Sequence, residues 1–329
     1  MQKGTLEKNI ASINSESSIN DNKSKLREVF LEPETRCDTY ISKESKEAWK
    51  IRLDMLEFFE MFCERHELQW CVICGTMLGA IRHKGIIPWD EDLDLAMPRG
   101  DFNKFIELMQ KDNNSKYVLL DSSNKDFFNF MVKLIHPETT EIDNWYASKH
   151  WIIPMGIHLD IHPIDGIPNN PLIAKIIVFI QRVLCNLYWA SMDKPPFSGK
   201  LPRLLHITSL RHLINRRKLY TLISYVASLY PMKKCKYCGL MPYRWGAWGK
   251  YVWTSQWFDN YIDVPFEYLS VKVPSSYNDI LTKTYGNWEI PVKGANLHEG
   301  SLYVDAKHSY KQVLPEKYAR YGYKSKDFE

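Results

Sequence analysis

Charge of one sign is not in surplus in this chain of 329 residues: 43 Lys and Arg against 39 Asp and Glu leave a net of +4. Nucleic-acid binders carry a basic excess over a whole face, so no nucleic-acid partner is expected, although basic residues bunch locally. Nor is there an uninterrupted hydrophobic run of spanning length. The most apolar stretch, 172–190, is broken by Lys175, Gln181 and Arg182, so a transmembrane helix is not expected. The N-terminal residues lack a leader's apolar segment and cleavage site, and the seven cysteines are odd in number. Reduced thiols and a cytoplasmic location are the expectation, rather than a disulfide framework.

Apolar residues make up 45% of the chain and aromatic ones 13%, enough to bury one large core or two small ones. Residues 1–35, rich in Ser, Asn, Lys and Glu, are expected to be disordered. A catalytic core over 36–170, a helical and partly basic insertion over 171–240, and an aromatic-rich segment over 241–329 complete the expected organisation. Ala48, Ile51, Met55, Phe58 and Phe62 recur at helical spacing. Asp101 is placed to cap a helix carrying Phe102, Phe105, Ile106 and Met109, and strands are expected over 117–120, 127–135 and 139–145.

The densest chemistry lies between Trp70 and Met97. The apolar run 70–74 predicts a strand, Gly75-Thr76 breaks it, and a helix starts at Met77. Such a turn leaves backbone N–H groups and the positive end of a helix dipole to receive a phosphate, with the Thr76 hydroxyl as a further donor. Downstream, Asp90, Asp92 and Asp94 fall two residues apart. As a strand, 90–95 would put three carboxylates on one face and Leu93 and Leu95 on the other. Like charges on one face raise one another's pKa unless a cation lies between them, and a hard divalent ion such as Mg²⁺ (or Mn²⁺) answers that need. A metal-free acidic edge strand or a calcium loop is the plainer alternative, but the sixth-position glycine of an EF-hand is lacking. On a later strand His158, Asp160 and His162 share one face. That pattern also suits zinc, though a structural zinc site needs four ligands. Of two Cys-x-x-Cys pairs, Cys71/Cys74 would sit on opposite faces of a strand, and Cys235/Cys238 is half a zinc site.

These residues resemble the LicD family, which includes the fukutin-type proteins. The likeness runs through Gly75-Thr76-Met77-Leu78-Gly79-Ala80, Arg82-His83 and Ile87-Pro88-Trp89-Asp90-Glu91-Asp92-Leu93-Asp94, then a second block from Gly156 to Pro168 around Asp160. A third comprises Pro265-Phe266-Glu267, Val273-Pro274, Tyr285-Gly286 and Pro291. Tyr268 stands where relatives usually have glycine, and His162 where an aromatic or aliphatic residue is more usual. The resemblance implies an α+β (α/β) nucleotidyltransferase-like fold, a mixed sheet with a helical insertion. It also implies a metal-dependent phosphotransferase that moves a phospho-alcohol such as phosphocholine from a CDP-linked donor. The acceptor would be a hydroxyl of a cell-surface glycan or its lipid-linked precursor, as in lipopolysaccharide, capsule or teichoic acid.

In that reading Asp92 and Asp94 hold the metal, Asp160 ligates it or activates the attacking hydroxyl, and Asp90 is a further ligand or a support for one. Gly75 and Thr76 cradle the donor phosphate, and Arg82 or Lys84 neutralises charge on the pyrophosphate. Two other functions stay open: a nucleotidyltransferase moving NMP from an NTP to a small molecule, and a non-catalytic glycan-binding protein of the same fold. Residues 171–230 read as two or three amphipathic helices with Arg203, Arg211, Arg216, Arg217 and Lys218 on a basic face. They are expected to touch the inner face of the cell membrane without crossing it. The aromatic run Tyr243, Trp245, Trp248, Tyr251, Trp253, Trp257, Phe258 and Tyr261 is expected mostly to pack the core, and could also face a cationic or sugar group.

Overall fold

The computed structural model describes residues 26–328 apart from 91, 113, 128, 196–199, 209, 241–248 and 293–301. Of the first 35 residues, for which disorder was expected, 26–30 form a helical turn, and the remainder up to residue 25 lies outside the described residues. A hairpin follows, β1 (Glu34–Arg36) and β2 (Thr39–Ile41), whose two-residue turn Cys37-Asp38 has φ of 51° and 54°. Both turn residues in the left-handed region give the primed turn that matches strand twist.

Helix α1 (Lys43–Arg65) begins where the Ser42 side chain accepts a hydrogen bond from the Ser45 N–H. It buries Ala48, Leu53, Met55, Phe59 and Phe62 against the sheet. His66 caps its far end.

The main sheet is built from β3 (Cys71–Val72), β4 (Asp94–Pro98), β5 (Val118–Leu120), β6 (Val132–Ile135), β8 (His158–Ile167), β9 (Tyr237–Gly239) and β10 (Val252–Thr254). Between β3 and β4 lies α2 (Cys74–His83), and after β4 comes α3 (Arg99–Lys111). β8 is the centre. It pairs in parallel with β4 on one side and antiparallel with β6 and then β9 on the other. The sheet is therefore mixed and the fold is α+β.

Only 132–135 of the expected strand 127–135 is a strand, and β7 (Thr140–Asp143) leaves the main sheet to pair with β13 (Leu302–Asp305). Two buried ion pairs tie these layers. Arg52 of α1 reaches Glu141 of β7 at 2.9 Å, and Arg99 grips Asp165 through Nε and Nη2, both at 2.7 Å. Asp101 lies in the first turn of α3 rather than capping it, because the helix already begins at Arg99 after Pro98.

After the short α4 (Asn144–Ser148) and β8 come three helices: α5 (Pro171–Ala190), α6 (Lys200–Ile207) and α7 (Arg216–Ser228). Asn170 caps α5, accepting from the Leu172 and Ile173 N–H groups, and Pro171 occupies the first position, where its missing N–H costs nothing. Contrary to expectation, α5 is long and apolar enough to cross a membrane by length and composition. The chain closes with the hairpin β11 (Tyr261–Phe266) and β12 (Leu269–Pro274), α8 (Tyr277–Tyr285), β13 and α9 (Tyr310–Lys317).

Candidate active site

The expected turn at Gly75-Thr76 is instead the first turn of α2, which starts one residue earlier at Cys74 with a left-handed φ of 50°. That places Thr76 beside the acidic segment. Its Oγ1 accepts from the Asp94 N–H at 2.7 Å, while the Asp94 carbonyl accepts from Ile73 N–H at 3.0 Å. The Asp90 carboxylate lies against Gly75: a Cβ there would meet Asp90 Oδ2 at 2.1 Å, so a larger residue would have to push that carboxylate aside. A second close approach, Glu267 against Gly85, fixes the loop after α2. Glu267 accepts from the Ile86 N–H at 2.9 Å and from Arg36 at 2.6 Å.

Asp90 and Asp92 precede the strand, which begins at Asp94, so strand alternation does not align the three acids. What converges them is the loop folding back onto α2 together with the β4–β8 pairing. In that parallel register Asp94 stands opposite Asp160 and Ala96 opposite His162. Asp160 and His162, two residues apart on β8, share a face. One ligand atom each from Asp94, Asp160 and His162 lie within 4.8 Å of one another, a group that could hold a metal ion. His162 Nε2 is 3.0 Å from Asp94 Oδ1.

From the other side β6 brings Lys133 opposite Asp160, and its ammonium donates to Asp160 Oδ1 at 2.7 Å and to His158 Nε2 at 2.7 Å. His158 Nδ1–H then donates to the Gly156 carbonyl at 3.1 Å, the tautomer this network dictates.

The electrostatics separate the acids. Burial and then the neighbouring Asp94, Asp90 and Asp160 push the Asp92 carboxyl well above the usual range. Burial also works against charge on Asp160, but Lys133, with His158 and His162, outweighs it and holds that carboxyl below its ordinary value. Lys133 is correspondingly raised: burial opposes its charge and Asp160 overcomes that. A cavity of about 230 Å³ is lined by Asp92, Asn129, Lys133, Glu141, Asp143, Tyr146 and Asp160 among others.

Asp92, Asp94 and Asp160 are thus brought together with Asp90 at their edge, and Gly75 and Thr76 adjoin them. Arg82 and Lys84 are not. They lie at the far end of α2, Thr76 and Arg82 being about 9 Å apart along the axis at 1.5 Å per residue. Arg82 donates to the Trp288 carbonyl at 2.8 Å, and Lys84 is the exposed left-handed cap.

Sequence reasoning assigned His162 no part in the acidic set and passed over Lys133. The signal for Lys133 was a lysine flanked by Val132 and Leu134 in a strand of otherwise apolar residues, a place where a charge requires a partner. Cys235 and Cys238 are free thiols whose pKa values burial raises, and they belong to no metal-competent group among the described residues. Trp253 and Phe258 are core residues, with Tyr251, Trp257 and Tyr261 packed against that core, whereas Tyr243, Trp245 and Trp248 lie outside the described residues.

The family described as LicD/FKTN/FKRP, nucleotidyltransferase domain, matches residues 67–164, the span that holds α2, Asp90 to Asp94, Lys133, Asp160 and His162. The chain is also 28% identical over 247 residues to the lipopolysaccharide cholinephosphotransferase LicD of Haemophilus influenzae, covering 74% of this chain and 90% of that protein. The chain is thus similar to the LicD family, through one matched domain and through a likeness that runs along most of one relative. A further relative, an uncharacterized protein of Rickettsia typhi, is 30% identical over 117 residues, 30% of this chain and 38% of its own. In LicD terms, the first and second blocks supply the acids. In the third, Glu267 holds the loop that leads from α2 to Asp90.

Proposed function

We propose that this enzyme, a phosphotransferase of the LicD family, transfers phosphocholine from a CDP-linked donor to a hydroxyl of a cell-surface glycan such as lipopolysaccharide. The observation that carries the reading is the convergence of Asp94, Asp160 and His162, with Asp92 alongside, inside the segment matched to the family. Similarity along 90% of the cholinephosphotransferase supports the transferred group.

The donor set fits a divalent cation. Four carboxylates crowd together with Asp92 pushed toward its neutral form, a charge deficit that a cation relieves. Asp94, Asp160 and His162 would hold it, with Asp92 beside them. Carboxylates suit Mg²⁺ and Mn²⁺, and the imidazole shifts the balance toward Mn²⁺. When bound, the metal supplies charge stabilisation to the phosphoryl oxygens. Lys133 keeps Asp160 ionised, which suits a ligand better than a proton acceptor. The first-turn N–H groups of α2 near Gly75 and Thr76 point a positive dipole end toward the acids, favourable for a donor phosphate. In the reaction the acceptor hydroxyl oxygen bonds to the β-phosphorus, the bond from that phosphorus to the bridging oxygen breaks with its electron pair leaving on CMP, and the hydroxyl proton passes to the departing CMP phosphate or to solvent.

The helical region adds a location. Most of the exposed large apolar side chains among the described residues fall between 172 and 229, among them Ile176, Phe179 and Leu204, interspersed with Arg and Lys. Such a face suits the anionic inner surface of the cell membrane and would bring the enzyme to lipid-linked acceptors.

The test is direct. Purified enzyme with Mn²⁺ or Mg²⁺ should release CMP from CDP-choline when a glycan acceptor is present, and no pyrophosphate from CTP or ATP. Pyrophosphate without CMP would replace this reading with a nucleotidyltransferase.

A further inference from the structure

We propose that Lys133 is a positioning residue for the cation site, holding one oxygen of Asp160 from the β6 side so that the other is presented to a divalent ion between Asp160, Asp94 and His162. That role rests on the cation site proposed above and not on which group the enzyme transfers.

Three residues form a row across the sheet. The β4–β8 pairing sets Asp94 opposite Asp160, and the β6–β8 pairing sets Lys133 opposite Asp160 from the other side. Residues in such a row project from one face, so the three side chains share it with Asp160 in the middle. The Lys133 ammonium donates to Asp160 Oδ1 at 2.7 Å. A carboxylate held at one oxygen from the β6 side loses its freedom to turn, and its second oxygen is left for the side on which Asp94 and His162 stand.

The lysine is itself held. Its side chain is 12% exposed, its strand neighbours Val132 and Leu134 are fully buried, and β6 is flanked by β5 and β8. A second N–H of the ammonium donates to His158 Nε2 at 2.7 Å, and the Nδ1–H of that ring donates to the Gly156 carbonyl at 3.1 Å. Glu141 Oε2 lies 3.4 Å from the same Nδ1, with Oε1 2.9 Å from the buried Arg52. The imidazole is thus fixed at both nitrogens and the ammonium at two of its three hydrogens. Folding alone does not account for the pair, because a buried ion pair contributes little against well-packed apolar residues of similar volume.

The sign of one effect separates the two things this lysine can do for a cation. As a charge alone it repels a divalent ion, and removing it would tighten binding. As a positioning residue it shapes the site, and removing it would loosen binding. Lys133→Met keeps an unbranched side chain of similar length and removes the ammonium.

Mn²⁺ binding to the full chain would be followed by loss of the free-ion electron paramagnetic resonance signal, with thermal midpoints measured in parallel so that only folded protein is compared. The wild type should bind Mn²⁺ saturably, and Lys133→Met about tenfold or more weakly, the range for lost support of a metal ligand. His158→Asn leaves Lys133 and Asp160 in place and keeps an N–H for the Gly156 carbonyl, but takes away the acceptor that steadies the ammonium. It should lower the affinity in the same direction by a smaller factor, and it decides the question if Lys133→Met does not fold. In turnover, raising Mn²⁺ should bring CMP release by Lys133→Met back to within a few-fold of the wild type.

Unchanged or tighter Mn²⁺ binding by Lys133→Met, or by His158→Asn where the first does not fold, would overturn the positioning role. So would CMP release that stays lost at saturating Mn²⁺, which would put the lysine on the substrate instead. A wild type that binds no divalent ion would remove the cation site and this role with it. Weaker binding by the variants of a chain that turns over no CDP-alcohol would support the positioning role while removing the proposed reaction.

Discussion

In β4 and β8 the apolar side chains Leu95, Met97, Leu159 and Ile161 are fully buried, and what the strands present at the site is charge: Asp94, Asp160 and His162. In α5 the allocation is reversed. Gln181 is fully buried, donating to the Ile223 carbonyl at 3.0 Å, while Leu172 and Phe179 are two-thirds exposed. The first region has buried its apolar groups within the chain and left an electrostatic need; the second has turned large apolar groups outward and left an apolar one. The first need suits a cation and an anionic substrate, and the second is the face proposed above to meet a lipid surface.

The comparison breaks most sharply at Asp94. Asp94→Asn should lower CMP release at least about 100-fold, since several kcal/mol of charge stabilisation depend on the cluster and each 1.4 kcal/mol is a factor of ten. Flotation with anionic vesicles should be unaffected. If both activity and flotation fall together, the two regions are not separable.

The converse is Phe179→Asp. A buried aromatic contributes about 1.5–3 kcal/mol, so partition onto anionic vesicles should drop tenfold or more, with CMP release on a soluble acceptor unchanged. A wild-type protein that stays in the soluble fraction with anionic vesicles at low salt would remove the lipid surface from the comparison.

The smallest effect is expected in stability, at His83. Burial, then Arg82 and Arg36, pushes its pKa down to about 4. The unfolded chain takes up this proton near pH 6.5 and the folded chain only near 4, so folded stability declines as pH falls through that window. Thermal midpoints of His83→Gln should show a shallower decline over the same range, which would confine this pH sensitivity to the catalytic region.

Much of the cluster was legible because side-chain alternation is local: Asp160 and His162 could be placed on one face from spacing alone, and Leu93 and Leu95 were recognisable as inward. What spacing cannot encode is the partner across a sheet. Lys133 meets Asp160 only through the β6–β8 register, and Asp90 reaches Gly75 only because its loop folds back. Arg82 and Lys84 were close to the acids in sequence, yet a ten-residue helix carries them to its opposite end. The described part of the aromatic run packs the core, as expected. Density of rings marks buried area as readily as a pocket: Trp253 and Phe258 went to the core, while Tyr146, beside Trp145, lines the cavity.

The parallel pairing of β4 with β8 has a consequence for when the site comes into being. Asp94 and His162 are 68 residues apart in the chain, and no hairpin can join parallel neighbours. Closing so long a loop is entropically unfavourable until the core contacts form, so the carboxylates meet late in folding and repel one another only then. A nascent chain stopped short of β8 would carry the acids without that repulsion and without affinity for a cation. Any ion that binds the assembled cluster favours the native state by mass action, so its capture would act as a latch on completion of the sheet.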